Sequence, residues 1–217
     1  MSRTFVIAIV GAESTGKTAL AQALHQAFAS QGRRSHCVPE YLREFCDARG
    51  RTPMQHEQID IAEAQTSRIA GAADVVTPEG IVVADTTALM TAVYSDQVFG
   101  DTSLYEQALH AHARADLTLL TALDLPWQPD GLQRDGPQVR EPVDAKLREA
   151  LAGAGLPFAV VSGRSDARLQ AAWAAFAATQ RVGGRSPRRP WRHICGRCGD
   201  ADCERHLFVH WVGDHLA

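Results

Sequence analysis

Apolar residues in this chain come in short unbroken runs separated by stretches of helical spacing. Residues 5–10 read Phe-Val-Ile-Ala-Ile-Val and stop at Gly11, the pattern of a parallel strand buried on both faces. Leu20, Leu24, Ala27 and Phe28 then recur at helical spacing over 17–30, so the order is strand, loop, helix. A short strand at 35–38 stops at Pro39, and helices follow near 41–48 and 54–73. Thr52 is placed to cap the second of these, and Pro53 suits its first turn. Residues 80–85 form the next apolar strand, with a carboxylate at its carboxyl end. Helices near 87–96 and 102–113 lead to a strand at 117–121, and a helix over about 142–152, a strand at 158–161 and an alanine-rich helix over about 166–179 complete the alternation. Such interleaving predicts an α/β chain in three layers, its five-stranded parallel sheet covered on both faces and its ligands at the carboxyl ends of the strands. Between the fourth strand and the next helix, Pro126, Pro129, Gly131, Gly136 and Pro137 mark a loop or lid.

Composition narrows the class. At 217 residues, 45% hydrophobic and 22% charged, the chain has material for one core and a small appendage. Residues 1–180 are read as the main domain, 181–192 as a linker and 193–217 as a tail. A net charge of −3 and a pI near 6.3 argue against a protein whose whole surface grips nucleic acid. No run approaches a membrane span and the N-terminus is not a signal peptide, so a cytoplasmic location is expected. Five cysteines do not form an even disulfide ladder. Three of them, with one histidine, spell C-x₂-C-x₄-C-x₂-H at Cys195, Cys198, Cys203 and His206, a set that can close a tetrahedral structural zinc site. His193 and His210 are alternative fourth ligands, and a reduced tail without metal is the competing reading. The segment 181–193 carries five arginines and no acid; a solvated linker is preferred there to a nucleic-acid contact.

The chemistry is concentrated after the first strand. Residues 11–18, Gly-Ala-Glu-Ser-Thr-Gly-Lys-Thr, fit G-x-x-x-x-G-K-[ST] between an expected strand and an expected helix, which defines a phosphate-binding P-loop. Gly11 and Gly16 allow the backbone N–H groups of Glu13, Ser14, Thr15 and their neighbours to wrap phosphates, and the helix N-terminus adds positive potential. Lys17 reaches the β and γ phosphates and Thr18 ligates Mg²⁺. ATP or GTP binding follows. Phosphoryl transfer also needs an acid to organise magnesium and, for a hydroxyl acceptor, a group to orient or deprotonate it. Asp85, ending its apolar strand, fits the first role, with a helix N-cap as the plainer alternative. Glu40, after the second strand, fits the second. Glu44 is read as an i,i+4 helix partner, and Arg43 is preferred to it as a ligand-facing residue. In the lid, Trp127 can stack on a ring or anchor the loop, Asp130 can bind hydroxyls, and Arg134 or Arg140 can reach phosphate. Tyr94 and Phe99 are read as core or cleft wall.

Taken together these motifs resemble the ribosylnicotinamide kinase domain of NadR-type proteins. The matching text is residues 11–18, then 40–44 (Glu-Tyr-Leu-Arg-Glu), Asp85-Thr86, 94–100, and 126–131 (Pro-Trp-Gln-Pro-Asp-Gly), in order over about 5–180. The resemblance implies a nucleoside-kinase-like P-loop fold and transfer of the γ-phosphate of ATP to the 5′ hydroxyl of nicotinamide riboside, a step of NAD salvage. It carries Glu40, Tyr41, Arg43, Asp85, Trp127 and Asp130 into the site as matched positions. Arg134 stands one residue later than the family's Asp-Gly-x-Arg places its arginine. The match begins at residue 5 and includes no adenylyltransferase or DNA-binding domain, so only the kinase step is implied, and the cysteine-rich tail lies outside it. Two alternatives stay open: a nucleotide-dependent regulatory or nucleic-acid-binding protein that uses the tail, and a kinase for another nucleoside or nucleotide.

Overall fold

The computed structural model describes residues 3–76, 79–128 and 136–183. The chain divides into two units, Met1–Gln180 and Arg181–Ala217, and every described strand lies in the first. Five strands form one parallel sheet: β1 (Phe5–Val10), β2 (Ser35–Val38), β3 (Ile81–Asp85), β4 (Leu117–Thr121) and β5 (Ala159–Val161). Their order is β2-β3-β1-β4-β5. The chain steps out to one edge, returns beside β1, and then crosses to β1's other side. That reversal opens a crevice at the carboxyl end of β1. In register Ile9 lies beside Asp85 and Val10 beside Leu120, so the loops that follow β1, β3 and β4 emerge together.

Among the described residues seven α-helices cover the sheet: α1 (Lys17–Ser30), α2 (Tyr41–Arg49), α3 (Gln58–Val75), α4 (Ala88–Phe99), α5 (Tyr105–His112), α6 (Arg140–Gly153) and α7 (Ser165–Gly183). Because side chains alternate along a strand, each face buries its own set. Ile7, Ile9, Val83 and Leu119 pack with Leu24 and Phe28 of α1 and Phe176 of α7. Val10 and Leu120 point the other way, against Leu89 and Val93 of α4 and Val143 and Leu147 of α6. Burial on both faces is why β1, β3 and β4 read as continuous apolar runs. Phe28 has its ring centroid 4.9 Å from Trp173 and 5.0 Å from Phe176, which fixes α1, the helix that ends the phosphate loop, against α7.

The expected three-layer α/β architecture with five parallel strands is what the chain adopts. The start of α3 differs from the reading of Thr52 as its cap. A 3-10 turn at Gln55–Glu57 comes first, and α3 opens at Gln58. Glu57 does the capping: its carboxylate accepts the Met54 N–H at 2.8 Å and both terminal nitrogens of Arg51 at 2.7 and 2.8 Å. These bonds, Arg51's first and the Met54 N–H next, lower the Glu57 pKa to about 2. Among the described residues no helix is long and apolar enough to cross a membrane.

Candidate active site

The phosphate loop is held by contacts that its sequence only partly announces. Gly11 has φ +150°, and a Cβ there would fall 2.1 Å from Thr121 Oγ1, so the chain can pass β4 only as glycine. Gly16, at φ +78°, caps α1 in a left-handed conformation. Thr15 is fully buried, its Oγ1 2.6 Å from the Ala12 carbonyl oxygen and 2.7 Å from Thr121 Oγ1. Arg168 of α7 is buried as well. It donates to the Gly163 carbonyl at 2.8 Å, and its terminal nitrogens meet the Thr15 carbonyl and the Asp124 carboxylate. One guanidinium thus ties together the loops that follow β1, β4 and β5. Lys17 Nζ donates to the carbonyls of Gly11 and Ala12 at 2.9 and 3.0 Å. With Ser14, Thr15, Gly16, Thr18 and Arg43 it lines a hollow of about 240 Å³ at the start of α1.

Two larger clefts flank this hollow. One, of about 640 Å³, lies over α1 and is walled by Ala19, Leu20 and Ala23 on one side, Leu125 and Pro126 on another, and the β5–α7 loop through Arg164. Its apolar floor with arginine at the rim suits a planar base. Trp127 and Gln128 are fastened to the phosphate loop here. Ser14 Oγ donates to the Gln128 carbonyl at 2.9 Å and accepts the Gln128 N–H at 3.1 Å, and Trp127 Nε1 donates to Glu13 Oε2 at 3.3 Å. Trp127 is therefore turned onto the phosphate loop as an anchor and does not line the opposite cleft.

That opposite cleft, of about 490 Å³, holds Lys17, Glu40, Arg43, Gln58, Thr91 and Tyr94. Glu40 stands at the N-terminus of α2 and accepts the Arg43 Nε–H at 3.0 Å. Burial raises its pKa and nearby Asp85 raises it further, against the lowering pull of Lys17 and Arg43. Asp85 is 2% exposed, and its Oδ1 has no hydrogen-bond partner among the described residues. The cap of α4 is Thr87, so Asp85 is not used as a helix cap. Its backbone is fixed from several sides. Thr86, a β-branched residue at φ +79°, donates its N–H to the Ile9 carbonyl at 3.0 Å, a strained conformation that only surrounding structure can hold. Buried Gln65 donates to the Thr86 carbonyl at 3.3 Å and accepts the Tyr41 N–H at 2.8 Å, coupling the loop that carries Asp85 to the helix start that carries Glu40. Thr87 Oγ1 lies 2.8 Å from His112 Nδ1, and His112 Nε2 lies 2.9 Å from Thr118 Oγ1; burial lowers the His112 pKa to about 4.

The structure thus brings Gly11, Glu13, Ser14, Thr15, Gly16, Lys17, Thr18, Glu40, Arg43 and Asp85 to one end of the sheet. Tyr41 is directed elsewhere: the Arg68 guanidinium sits 4.4 Å from its ring centroid, and Arg68 also grips Glu44 at 2.6 and 2.7 Å. Glu44 is accordingly a helix-surface partner. Arg140 opens α6 and is buried, with Nε and one terminal nitrogen lacking a partner among the described residues. Asp130, Arg134, Cys195, Cys198, Cys203 and His206 lie outside the described residues. Arg168, Thr121 and Gln65 were not anticipated. The rule that ligands gather at strand carboxyl ends, applied to β5, points to the loop that Arg168 braces, whereas nothing local marks Gln65.

A phosphate loop leading from the central strand of a β2-β3-β1-β4-β5 sheet into the first helix, with a cleft on either side, defines a P-loop NTPase fold. The family described as an AAA domain matches residues 6–168, and the chain belongs to it. A comparison with curated proteins finds no match. Among solved structures, a NadR protein in complex with NR shares 21% identity at a TM-score of 0.65, over 87% of this chain and 52% of that one. A NadR protein in complex with NAD and AMP-PNP shares 21% at 0.61 over the same fractions. Thymidylate kinase from Candida albicans shares 14% at 0.60, over 83% of this chain and 94% of that one. At these identities the likeness is one of fold, and the chain spans about half the length of the NadR chains.

Proposed function

We propose that this protein transfers the γ-phosphoryl group of Mg-ATP to the 5′ hydroxyl of nicotinamide riboside, as a cytoplasmic kinase of NAD salvage. The observation that carries this reading is the meeting of two clefts at the phosphate loop, both lined by Ser14, one suited to a base and one holding Lys17 and a largely buried carboxylate, Glu40, whose charge is felt by both Lys17 and Asp85. The likeness in fold to a NadR protein in complex with NR supports the choice of acceptor.

In this reading the phosphate loop N–H groups and the α1 N-terminus hold the phosphates of ATP, and Lys17 compensates charge on the transferred group. Magnesium of a kinase rests on one or two protein oxygens plus phosphates, which fits what is here. Among the described residues no three His, Cys, Asp or Glu side chains are placed to enclose a metal, while Asp85 Oδ1 is buried without a partner and Thr18 lines the phosphate hollow. Those two residues would hold the ion, which when bound neutralises charge on the phosphate oxygens. Glu40 accepts the hydrogen bond of the attacking hydroxyl and takes its proton as the new O–P bond forms and the bond to ADP breaks. A carboxylate whose pKa is raised is a better base for that step. Arg43 keeps Glu40 aimed. Arg140 and Arg134 supply further positive charge, and Asp130 binds the acceptor as the resemblance implies, while Trp127 serves as the anchor of the phosphate loop. Residues 1–180 form the kinase domain, 181–192 a linker, and 193–217 a tail in which Cys195, Cys198, Cys203 and His206 hold a structural zinc ion.

The test is to incubate the protein with Mg-ATP and, separately, nicotinamide riboside, thymidine, thymidine monophosphate or no acceptor, following phosphorylated product by mass spectrometry with Lys17→Ala as control. Nicotinamide riboside 5′-phosphate, absent with the variant, is expected. Phosphorylation of thymidine or its monophosphate instead would reject the acceptor and keep the phosphotransferase. ATP binding without any phosphorylated acceptor would reject both.

A further inference from the structure

In the acceptor cleft the charged groups are already engaged with one another. Arg51 gives its two terminal nitrogens to Glu57 and the Thr52 carbonyl, and Arg43 is bonded to Glu40. Two uncharged polar side chains on the same wall are not engaged. Gln58, the first residue of α3, is 5% exposed, and Thr91 of α4 is 7% exposed. Both line the cleft, their polar atoms are open to it, and no hydrogen bond from the described residues reaches either side chain. A carboxamide set into a cleft wall in this way keeps its donors and its acceptor open to a ligand, which replaces cleft water in bonding them. Next to them the wall becomes apolar: Tyr94, Phe99 and Met54 line the mouth, and Met54 is 51% and Phe99 38% exposed. A flat ring bearing a hydrogen-bonding edge fits such a surface.

Resting on the kinase reading above, we infer that Gln58, seconded by Thr91, reads the acceptor's base and selects an uncharged carboxamide over a carboxylate. A primary carboxamide offers an NH₂ donor group beside a carbonyl acceptor, the complement of the Gln58 side chain. A carboxylate offers only acceptors. It can take the Gln58 NH₂ but sets its second oxygen against the Gln58 carbonyl, and both arginines of this wall are already paired. Sites built to hydrogen-bond a substrate group discriminate far more sharply than apolar pockets do, because a mismatch leaves buried polar atoms unpaired on both sides.

The experiment compares kcat/KM for nicotinamide riboside and nicotinic acid riboside in the wild type, Gln58→Leu and Gln58→Glu, with thermal unfolding measured for each. The wild type is expected to prefer the amide by roughly 10²-fold or more. Gln58→Leu should lower kcat/KM for the amide roughly 10- to 10²-fold, mainly through KM, bring the two ribosides close to parity, and leave the KM for ATP where it was. Gln58→Glu, which keeps size and polarity, should still accept from the amide NH₂ and widen the preference against the carboxylate. A folded Gln58→Leu enzyme that phosphorylates riboside with the wild-type selectivity overturns the inference and leaves the kinase standing. A wild type that phosphorylates neither riboside overturns both.

Discussion

On the donor side of Lys17, buried polar groups are satisfied inside the chain: Arg168 spans the Thr15 carbonyl, Asp124 and Gly163, and Thr15 meets Thr121 and Ala12. On the acceptor side, Asp85 Oδ1 is buried without a partner among the described residues, the Gln58 and Thr91 side chains face the cleft, and Glu40 is charged only against its burial. The contrast separates a frame from a working surface. A loop that must present backbone N–H groups in fixed directions gains from being rigid, and every internal bond serves that. Groups that must bind a metal, a hydroxyl or a base gain from being held in place by their backbones, with their own atoms unspent. Gln65, His112 and the strained Thr86 do that holding.

The sharpest way to break this contrast is Lys17→Ala, which removes the cation of the phosphate loop between the two clefts; product formation should fall by roughly 10³-fold, measured as initial rate at saturating ATP. Glu40→Gln comes next, with a loss of roughly 10²- to 10³-fold in kcat and ATP binding unchanged. Its pH profile is more telling than its rate. Glu40 must be charged to take a proton, and its raised pKa means that wild-type kcat/KM falls, as pH drops, at a higher pH than an ordinary carboxylate would set. In Glu40→Gln that acid limb should disappear.

On the frame side the expected effects are on stability. Arg168→Met leaves the Thr15 and Gly163 carbonyls without their donor and should cost about 2 kcal/mol in urea unfolding, with a raised KM for ATP. His112 should have the smallest effect. Its folded pKa of about 4 lies below the ordinary 6.5, so the fold favours the neutral ring. Stability from this source is complete above pH 6.5 and is lost as pH falls towards about 4, at most on the order of 3 kcal/mol. His112→Gln should flatten that dependence in denaturant titrations at pH 7.5, 6 and 5.

The same contrast explains what could be read from sequence. The central strands were legible because burial on both faces makes them continuous apolar runs, and the phosphate loop because its glycines and lysine are fixed by local geometry. Asp85 and Glu40 were legible from their places at strand ends. Arg168 was not, since its role is to join loops that are far apart in sequence, and an arginine on an alanine-rich helix looks like any solvated one. Gln58 and Gln65 read as ordinary helix residues; only burial, and for Gln65 the direction of its bonds, sets them apart. Thr52 resembled a cap until the Arg51–Glu57 pair, a six-residue contact, placed the turn beyond it. Tyr41 kept its place in the motif, yet its ring turns to Arg68.

The most direct test of the two-sided site is the ratio of phosphorylated riboside to ADP produced by the wild type, with ADP also measured when nicotinamide riboside is withheld. The account predicts one phosphorylated riboside per ADP and ADP formation that nearly stops without acceptor. Equal ADP formation with and without the riboside would contradict it, leaving a nucleotide hydrolase in which the acceptor cleft takes no part.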